Sequence, residues 1–339
     1  MERLNKEIPL YLQIAEWIRS DIKNGVIRPG EKLASEHDMM KKYNVSRMTV
    51  RNAFSELVNE GLVEKYHGKG SFCRETAAKK NIDVLLNMSD HYFISYYLQS
   101  ISAVLERNNA NMLAGDTRNS NTEIVKRLNA IAARGSNGVI LQGCPKPDWD
   151  PETFSEAMKR LEEKGIPVIV IDYVYPLERI CSAAMNEKKI GKIAADYLFE
   201  KGHRKVAAVC ILDDALSQKR LEGFSERFAE YTEIKYNNEI AWQIRAAMAA
   251  GATALFCYND TVAQECIDSL REEGYTIPDD LSVISVDDTI LARVYGITSV
   301  AHAKNRIGEY AAVQILSNRL ESKIFDPVLV ERASVKAVI

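Results

Sequence analysis

Arg47 and Arg51, four residues apart, stand with Met48 and Asn52 on one side of a segment whose other side carries Val50, Ala53, Phe54, Leu57 and Val58. A helix would bury the apolar set and leave the guanidinium groups outside, placed to bond base edges or phosphates in a DNA groove. Further on, His67-Gly68-Lys69-Gly70 sets one lysine among glycines, so that backbone and charge can come close to a phosphate chain. In the rest of the chain, acids, amides and aromatics recur after apolar runs: in the segments Asn87 to Phe93, Gln142 to Trp149, Asp172 to Tyr175 and Asp213 to Lys219, and at Asn259-Asp260 and Asp287-Asp288. Such groups both donate to and accept from hydroxyls.

Enzyme chemistry finds little support. The sequence holds no Gly-x-Gly-x-x-Gly after a strand, no phosphate-binding Gly-x-x-x-x-Gly-Lys-Ser/Thr, no Gly-x-Ser-x-Gly and no His-Glu-x-x-His. The five histidines (His37, His67, His91, His203 and His302) are dispersed, and Asp287-Asp288 lacks further clustered ligands, so no catalytic residue, metal or cofactor is expected. The six cysteines include no Cys-x-x-Cys, which points to reduced thiols. No apolar run is long enough to span a membrane, and the opening Met-Glu-Arg-Leu-Asn-Lys-Glu lacks a leader's apolar core; a cytoplasmic location is the expectation. With 339 residues, 46% hydrophobic and 27% charged, the chain can bury more than one core. Its net charge of -3 is uneven: residues 1 to 80 carry 15 Lys+Arg against 11 Asp+Glu, the remainder 29 against 36. A basic head on an acidic body suits a nucleic-acid-binding module joined to something else.

Several elements must position the arginines. After Pro9, the apolar spacing of Leu10, Ile14, Trp17, Ile18 and Ile22 predicts a helix from Leu10 to Asn24. Ser35-Glu36-His37-Asp38 has the form of a capping box opening a second helix, and Ser46 can cap a third that Gly61 ends. The runs Leu62 to Tyr66 and Ser71 to Cys73 predict a hairpin around the glycine-rich tip. Two short helices joined by a tight turn, with a wing behind, form a winged helix-turn-helix.

The stretch from "PLYLQI" through "PGEKLASE" and "VSRMTVRNAFSELVNEGL" to "GKGSF" resembles the winged helix-turn-helix domain of the GntR family of bacterial transcription regulators. The resemblance implies DNA binding. By motif, Ser35 and Glu36 begin the second helix, Arg47 and Arg51 read bases or phosphates, Ser46 and Thr49 contact phosphates, and Gly68, Lys69 and Gly70 form the wing tip. Ala34 departs from the family's commoner proline.

Residues 1 to 75 thus form a DNA-binding domain, 76 to 81 a linker, and 82 to 339 a second region in which apolar runs alternate with helical periodicity. Strands are predicted at Ile82 to Leu86, Asn111 to Ala114, Gly138 to Leu141, Val168 to Ile171, Val206 to Leu212, Ala254 to Cys257 and Ser282 to Val286, with helices between, including one from Arg220 to Tyr231 and one opened by Asp150-Pro151-Glu152. This is an α/β pattern with parallel sheets, and its length favours two sheets and a cleft at the strands' carboxyl ends. The pieces "SQKRLEGF", "ALFCYNDTVAQECIDSLREEGYTIPDDLSVISVDDT", "ITSV" and "DPVLVERASV" resemble the two-lobed, periplasmic-binding-protein-like sensor domain of the LacI/GalR family. A GntR head on such a body resembles the group of arabinose-responsive repressors.

That resemblance implies a small-molecule effector, often a sugar, and a homodimer formed through the body. Its effector contacts fall on Asp172, Arg220, Asn259, Asp287 and His302, with Ser89, Asp90, His91, Tyr92 and Phe93 contributing from a first-lobe loop. Acids and amides with one bidentate Arg suit vicinal hydroxyls, and Tyr92, Phe93, Trp149, Tyr173 and Tyr175 are candidates to cover the sugar's C–H face. The segment between Phe224 and Tyr258 looks short for the family. The expectation is a repressor of a pseudo-palindromic operator, controlled by a monosaccharide such as L-arabinose; a sugar phosphate or other non-sugar metabolite is the alternative effector, and a sugar-metabolising enzyme or a solute-binding protein the remoter classes.

Overall fold

A computed structural model describes residues 8–74, 79–89, 91–147 and 149–338. The chain divides into two compact units, one ending at Lys79 and the other beginning at Lys80.

In the head, α1 (Leu10–Lys23), α2 (Glu36–Tyr43) and α3 (Arg47–Asn59) precede a hairpin of β1 (Val63–Tyr66) and β2 (Gly70–Cys73). The capping box is complete: Ser35 Oγ accepts from the Asp38 N–H at 3.2 Å, and the Asp38 carboxylate accepts from the Ser35 N–H at 3.3 Å. Asn44 turns the chain in the left-handed region, and Ser46 Oγ caps α3 by accepting from the Thr49 N–H. Ile14, Ile18, Leu33, Met39, Val50, Phe54, Leu57 and Val63 form the core. The predicted stripes fray at their ends, since Leu10 and Val58 are exposed. Residues before α2 lie along the hairpin, with the Cys73 N–H donating to Glu31 O at 2.8 Å and the Leu33 N–H to Ser71 O at 2.9 Å.

The body opens with β3 (Lys80–Leu86), α4 (His91–Arg107), β4 (Ala110–Asp116), α5 (Asn121–Arg134), β5 (Gly138–Gln142), α6 (Pro151–Glu163), β6 (Val168–Ile171) and β7 (Cys181–Met185). It continues with α7 (Glu187–Glu200), β8 (Val206–Cys210), α8 (Ala215–Ser225), β9 (Thr232–Lys235), α9 (Ile240–Ala249), β10 (Ala254–Phe256), α10 (Asp260–Glu272), β11 (Ser282–Asp287), α11 (Ile290–Tyr295) and β12 (Thr298–Ala301), and ends with α12 (Lys304–Ser317), β13 (Lys323–Phe325) and β14 (Val328–Val330). Two six-stranded sheets result, in the orders β13-β7-β6-β5-β3-β4 and β14-β12-β11-β10-β8-β9. Every pairing is parallel except β12 with β14, and both faces are covered, as parallel sheets require.

The chain passes between lobes at β7 to α7, at β12 to α12 and at β13 to β14. Strands β7, β9 and β12 to β14 lie outside the predicted runs. The expected helix from Arg220 to Tyr231 instead starts at Ala215 and stops at Ser225, which frees residues for β9. The stretch expected to be short therefore still supplies β9, α9 and β10. Lys80 and Asn81, expected in the linker, pair with Ala110 and Asn111 in the first sheet.

Two glycines fix the packing that carries the site. A Cβ on Gly191 of α7 would lie 1.7 Å from Arg220 O, and one on Gly223 of α8 would lie 1.8 Å from Lys188 O. The two helices touch backbone to backbone, which only residues lacking a side chain permit.

Candidate interlobe cavity and nucleic-acid interface

In the head, Glu36 gathers the cations of the recognition face. Its Oε2 accepts from Arg47 Nε at 3.0 Å, and its Oε1 lies 3.3 Å from Lys65 Nζ and 3.9 Å from Arg51 Nε. The hydrogen bond from Arg47 leads in holding this carboxyl below its usual range, against some desolvation. Arg47 and Arg51 remain mostly exposed, so Glu36 aligns them without hiding them. Thr49 Oγ1 lies 2.8 Å from Ser46 Oγ, so both hydroxyls expected on phosphates also serve the start of α3. Gly68 and Gly70 take φ of +74° and +112° at the tip, where Lys69 is exposed. Arg47→Ala and Arg51→Ala should each weaken operator binding by about 1–3 kcal/mol and leave the fold intact, because the core lies on the opposite face. Mobility-shift titration with circular dichroism checks this, and full affinity in both variants would contradict it.

In the body, a cavity of about 230 Å³ lies between the two sheets. It brings together Phe93, Asp172, Arg220, Asn259, Asp287 and His302, which are far apart in sequence. Asn87, Asn119, Gln142 and Lys146 join them from the first lobe, and Glu187, Asp213, Asp214 and Tyr258 from the second.

Asp172 follows β6 at φ +66°, a left-handed conformation that costs energy in a residue with a side chain and turns its carboxylate across the strand ends. Tyr97 Oη donates to its Oδ1, Gln142 Nε2 donates to its Oδ2 at 2.8 Å, and His302 Nε2 lies 3.3 Å from Oδ1. His302 leads the crossing from β12 to α12, stands edge-on to Phe93 and has a buried Nδ1 without a hydrogen-bond partner among the described residues. Lys304, two residues further along at the start of α12, donates from Nζ to the backbone oxygens of Asp287 and Asp288 and sits 4.6 Å over the Tyr96 ring.

Arg220 is almost wholly buried. Its Nε donates to Glu187 Oε2 at 2.7 Å, its Nη1 donates to Tyr258 O at 2.6 Å, and its guanidinium lies 4.6 Å over the Tyr258 ring. Burial is the strongest single influence and works against its charge, but Glu187, Tyr258 and Asp287 together outweigh it and keep the guanidinium protonated. Asn259 uses Oδ1 to cap α10 through the Val262 N–H at 2.9 Å, leaving its amide nitrogen for the cavity. Asp260 faces inward instead, accepting from Ser285, Ser299 and Thr289, and so ties α10, β11, β12 and α11 together. Asp287, at φ +103°, has no hydrogen bond to its carboxyl among the described residues. Across the cleft mouth the Ala215 N–H donates to Pro145 O at 3.1 Å, so the lobes are closed on each other.

The other candidates lie elsewhere. Ser89 is exposed, bonds Asn87 Oδ1 at 2.8 Å and is not among the residues lining the cavity. Asp90 and the side chains of His91 and Tyr92 lie outside the described residues. Trp149, Tyr173 and Tyr175 cluster with one another and with Phe154 against the first lobe's core and are not among the residues lining the cavity, contrary to their expected role as a sugar cover. Phe93 alone of that aromatic set reaches the cavity among the described residues. Glu187, Tyr97 and Tyr258 were missed, because each reads locally as an ordinary helix or strand-end residue; a buried acid just after the Asn186 cap was the one available signal.

Comparison with known proteins agrees with this architecture. Residues 10–73 match the bacterial regulatory proteins of the gntR family, and residues 195–335 match the periplasmic binding protein-like domain. The chain joins a GntR-family head to a periplasmic-binding-protein-like sensor body. Along its whole length it is similar to the arabinose metabolism transcriptional repressor of Halalkalibacterium halodurans, 28% identical over 96% of both chains. The repressor of the same name in Geobacillus stearothermophilus is 27% identical, over 98% of this chain and 99% of that one. The fold of the sensor body is that of a LacI family transcriptional regulator from Enterococcus faecium solved with bound ribose, with a TM-score of 0.66, 22% identity and coverage of 77% of this chain and 100% of that one. A regulator from Alkaliphilus metalliredigens complexed with D-xylulofuranose gives a TM-score of 0.64 at 16% identity, over 76% and 99% of the two chains. No described helix of the sensor body or GntR head is long and apolar enough to cross a membrane.

Proposed function

We propose that this ligand-responsive transcriptional repressor takes a neutral aldopentose, L-arabinose first, in the interlobe cavity, and that the sugar weakens operator binding by a homodimer in the cytoplasm. The carrying observation is the cavity's composition: acids and amides in excess, one arginine already paired with Glu187, and a volume of about 230 Å³. That is below the ~300–1,000 Å³ of sites for drug-sized ligands and suits a monosaccharide. Among the described residues Lys146 is the other Lys or Arg on the wall and is exposed, whereas a sugar phosphate calls for several converging cations. The whole-length relatives, named as arabinose repressors, support the same sugar and a regulator that is not an enzyme. Calorimetry with L-arabinose, D-ribose, D-xylulose and L-arabinose 5-phosphate tests the reading; binding of the phosphate alone would contradict it.

The site also predicts a proton signature. Burial pushes the Asp287 carboxyl up to about 7, with Asp260 adding to the shift and Arg220, His302 and Lys304 opposing it. A sugar hydroxyl donating to Asp287 favours the charged form, so binding below about pH 7 must expel a proton, and affinity rises with pH until the free carboxyl is ionised. Calorimetry at pH 6.5 in buffers of different ionisation enthalpy should show proton release, with affinity rising up to about fivefold from pH 6 to 7. A pH-independent affinity over that range would contradict this.

Two heads on a two-fold operator require a dimer. The full chain should sediment as one at micromolar concentration without DNA; a monomer there would leave pairing to the operator.

A further inference from the structure

Glu187 belongs to neither the recognition face nor the predicted sugar contacts, yet it is buried in the cavity wall and bonded to its arginine. We propose that Glu187 is the cavity's charge filter: by neutralising Arg220 it leaves a guanidinium that donates hydrogen bonds to hydroxyls but does not attract an anion, so effectors bearing a carboxylate or phosphate are refused. This rests on the reading of the cavity as the effector site.

Glu187 is singled out by contact: Asp287 also acts on Arg220 through space, but no ion pair joins them among the described residues. Asp172 is occupied by Tyr97, Gln142 and His302, and Asp214 caps α8 through the Ser217 N–H at 2.7 Å and accepts from Tyr258 Oη at 3.3 Å. Among the described residues Glu187 alone forms an ion pair with the guanidinium. With Nε on Glu187 and Nη1 on Tyr258 O, the N–H groups of Nη2 have no partner among the described residues. They are the donors available to a ligand oxygen. Opposed charges a few ångströms apart in a site shielded from water cancel far more completely than on a surface, so removing one carboxylate changes the pull on an anion strongly. Glu187 is therefore a positioning and specificity residue that acts through Arg220.

The test compares the full-length wild type, Glu187→Gln and the Glu187→Gln/Arg220→Met double variant at pH 7.5. The probes are inorganic phosphate, D-fucose and D-galacturonate; the two sugars share the ring hydroxyl arrangement of L-arabinopyranose and differ at one carbon, methyl against carboxylate. In thermal-shift and calorimetric titrations, Glu187→Gln should bind phosphate at least about tenfold more tightly than wild type. The double variant should lose that gain, and the preference for D-fucose over D-galacturonate should narrow by a similar factor in Glu187→Gln. A purely structural role would lower all affinities together. A folded Glu187→Gln with no gain for phosphate overturns the filter. So does a wild type that binds phosphate through Arg220 or takes D-galacturonate as tightly as D-fucose, and those two results decide the matter if the variant does not fold. A gain for phosphate with no neutral sugar bound by any protein upholds the filter and rejects the sugar reading.

Discussion

Arg220→Ala should lower the stability of the sensor body by about 3–5 kcal/mol as well as abolish the sugar response, because it strands Glu187 as a buried charge with no counter-ion. The same substitution removes the bond to Tyr258 O and the cation over the Tyr258 ring. From sequence, the arginine is expected as an effector contact; the ion pair makes it a structural element too. Calorimetric unfolding, followed through the transition assigned to the body, measures the effect. Glu187→Gln/Arg220→Met should recover most of the lost stability, since neither charge is then unpaired, but not the response to sugar. A stable Arg220→Ala chain that still binds sugar would show that the pair is neither buried nor functional as described.

Gly223→Ala comes next in size. Its new methyl would meet the Lys188 carbonyl at 1.8 Å, an oxygen fixed in the α7 backbone, so the helices must part. Overpacking of this kind costs about 1–3 kcal/mol or more, and rigid backbone on both sides puts the expected loss at the upper end, near 3 kcal/mol. For a body of this size that lowers the melting temperature by roughly 6–12 °C. Because α8 carries Arg220 and α7 carries Glu187, the separation also loosens their bond, and sugar affinity falls in the same variant. An unchanged melting temperature would mean that the helices are not in backbone contact.

The head was legible almost residue by residue because its boundaries are written in local chemistry. Ser35 and Ser46 are caps, Asp38 completes the box, and Gly61 takes the left-handed turn that ends the region of α3. The body was legible where strands are continuous apolar runs, as in Val168–Ile171. It was not where they are made of small or exposed residues: β7 is Cys-Ser-Ala-Ala-Met, and β9 buries a single residue, Ile234. Strands β13 and β14 are three-residue edges whose existence depends on the sheets they complete. The cavity shows the same division. Acids that follow strands, such as Asp172 and Asp287, could be picked out from chain order, whereas Glu187 meets Arg220 only because Gly191 and Gly223 bring α7 and α8 together. Tyr173 and Tyr175 follow a strand just as Asp172 does, but they turn into the first lobe's core, where Tyr175 Oη is satisfied by Asn121 and by the Cys144 N–H.

Sugar-responsive repression requires that the cavity and the DNA-binding head be coupled. An effector can shift DNA binding only if it binds the DNA-competent and DNA-free states with different affinity, and couplings of this kind run to about 5–150-fold. The most direct measurement is the affinity of the full-length chain for an operator selected from a random duplex pool, by fluorescence anisotropy, with and without saturating L-arabinose. Operator binding should be at least about fivefold weaker with the sugar, and by reciprocity sugar affinity should fall equally on the operator complex. Tight operator binding that neither L-arabinose nor any other neutral monosaccharide changes would contradict it.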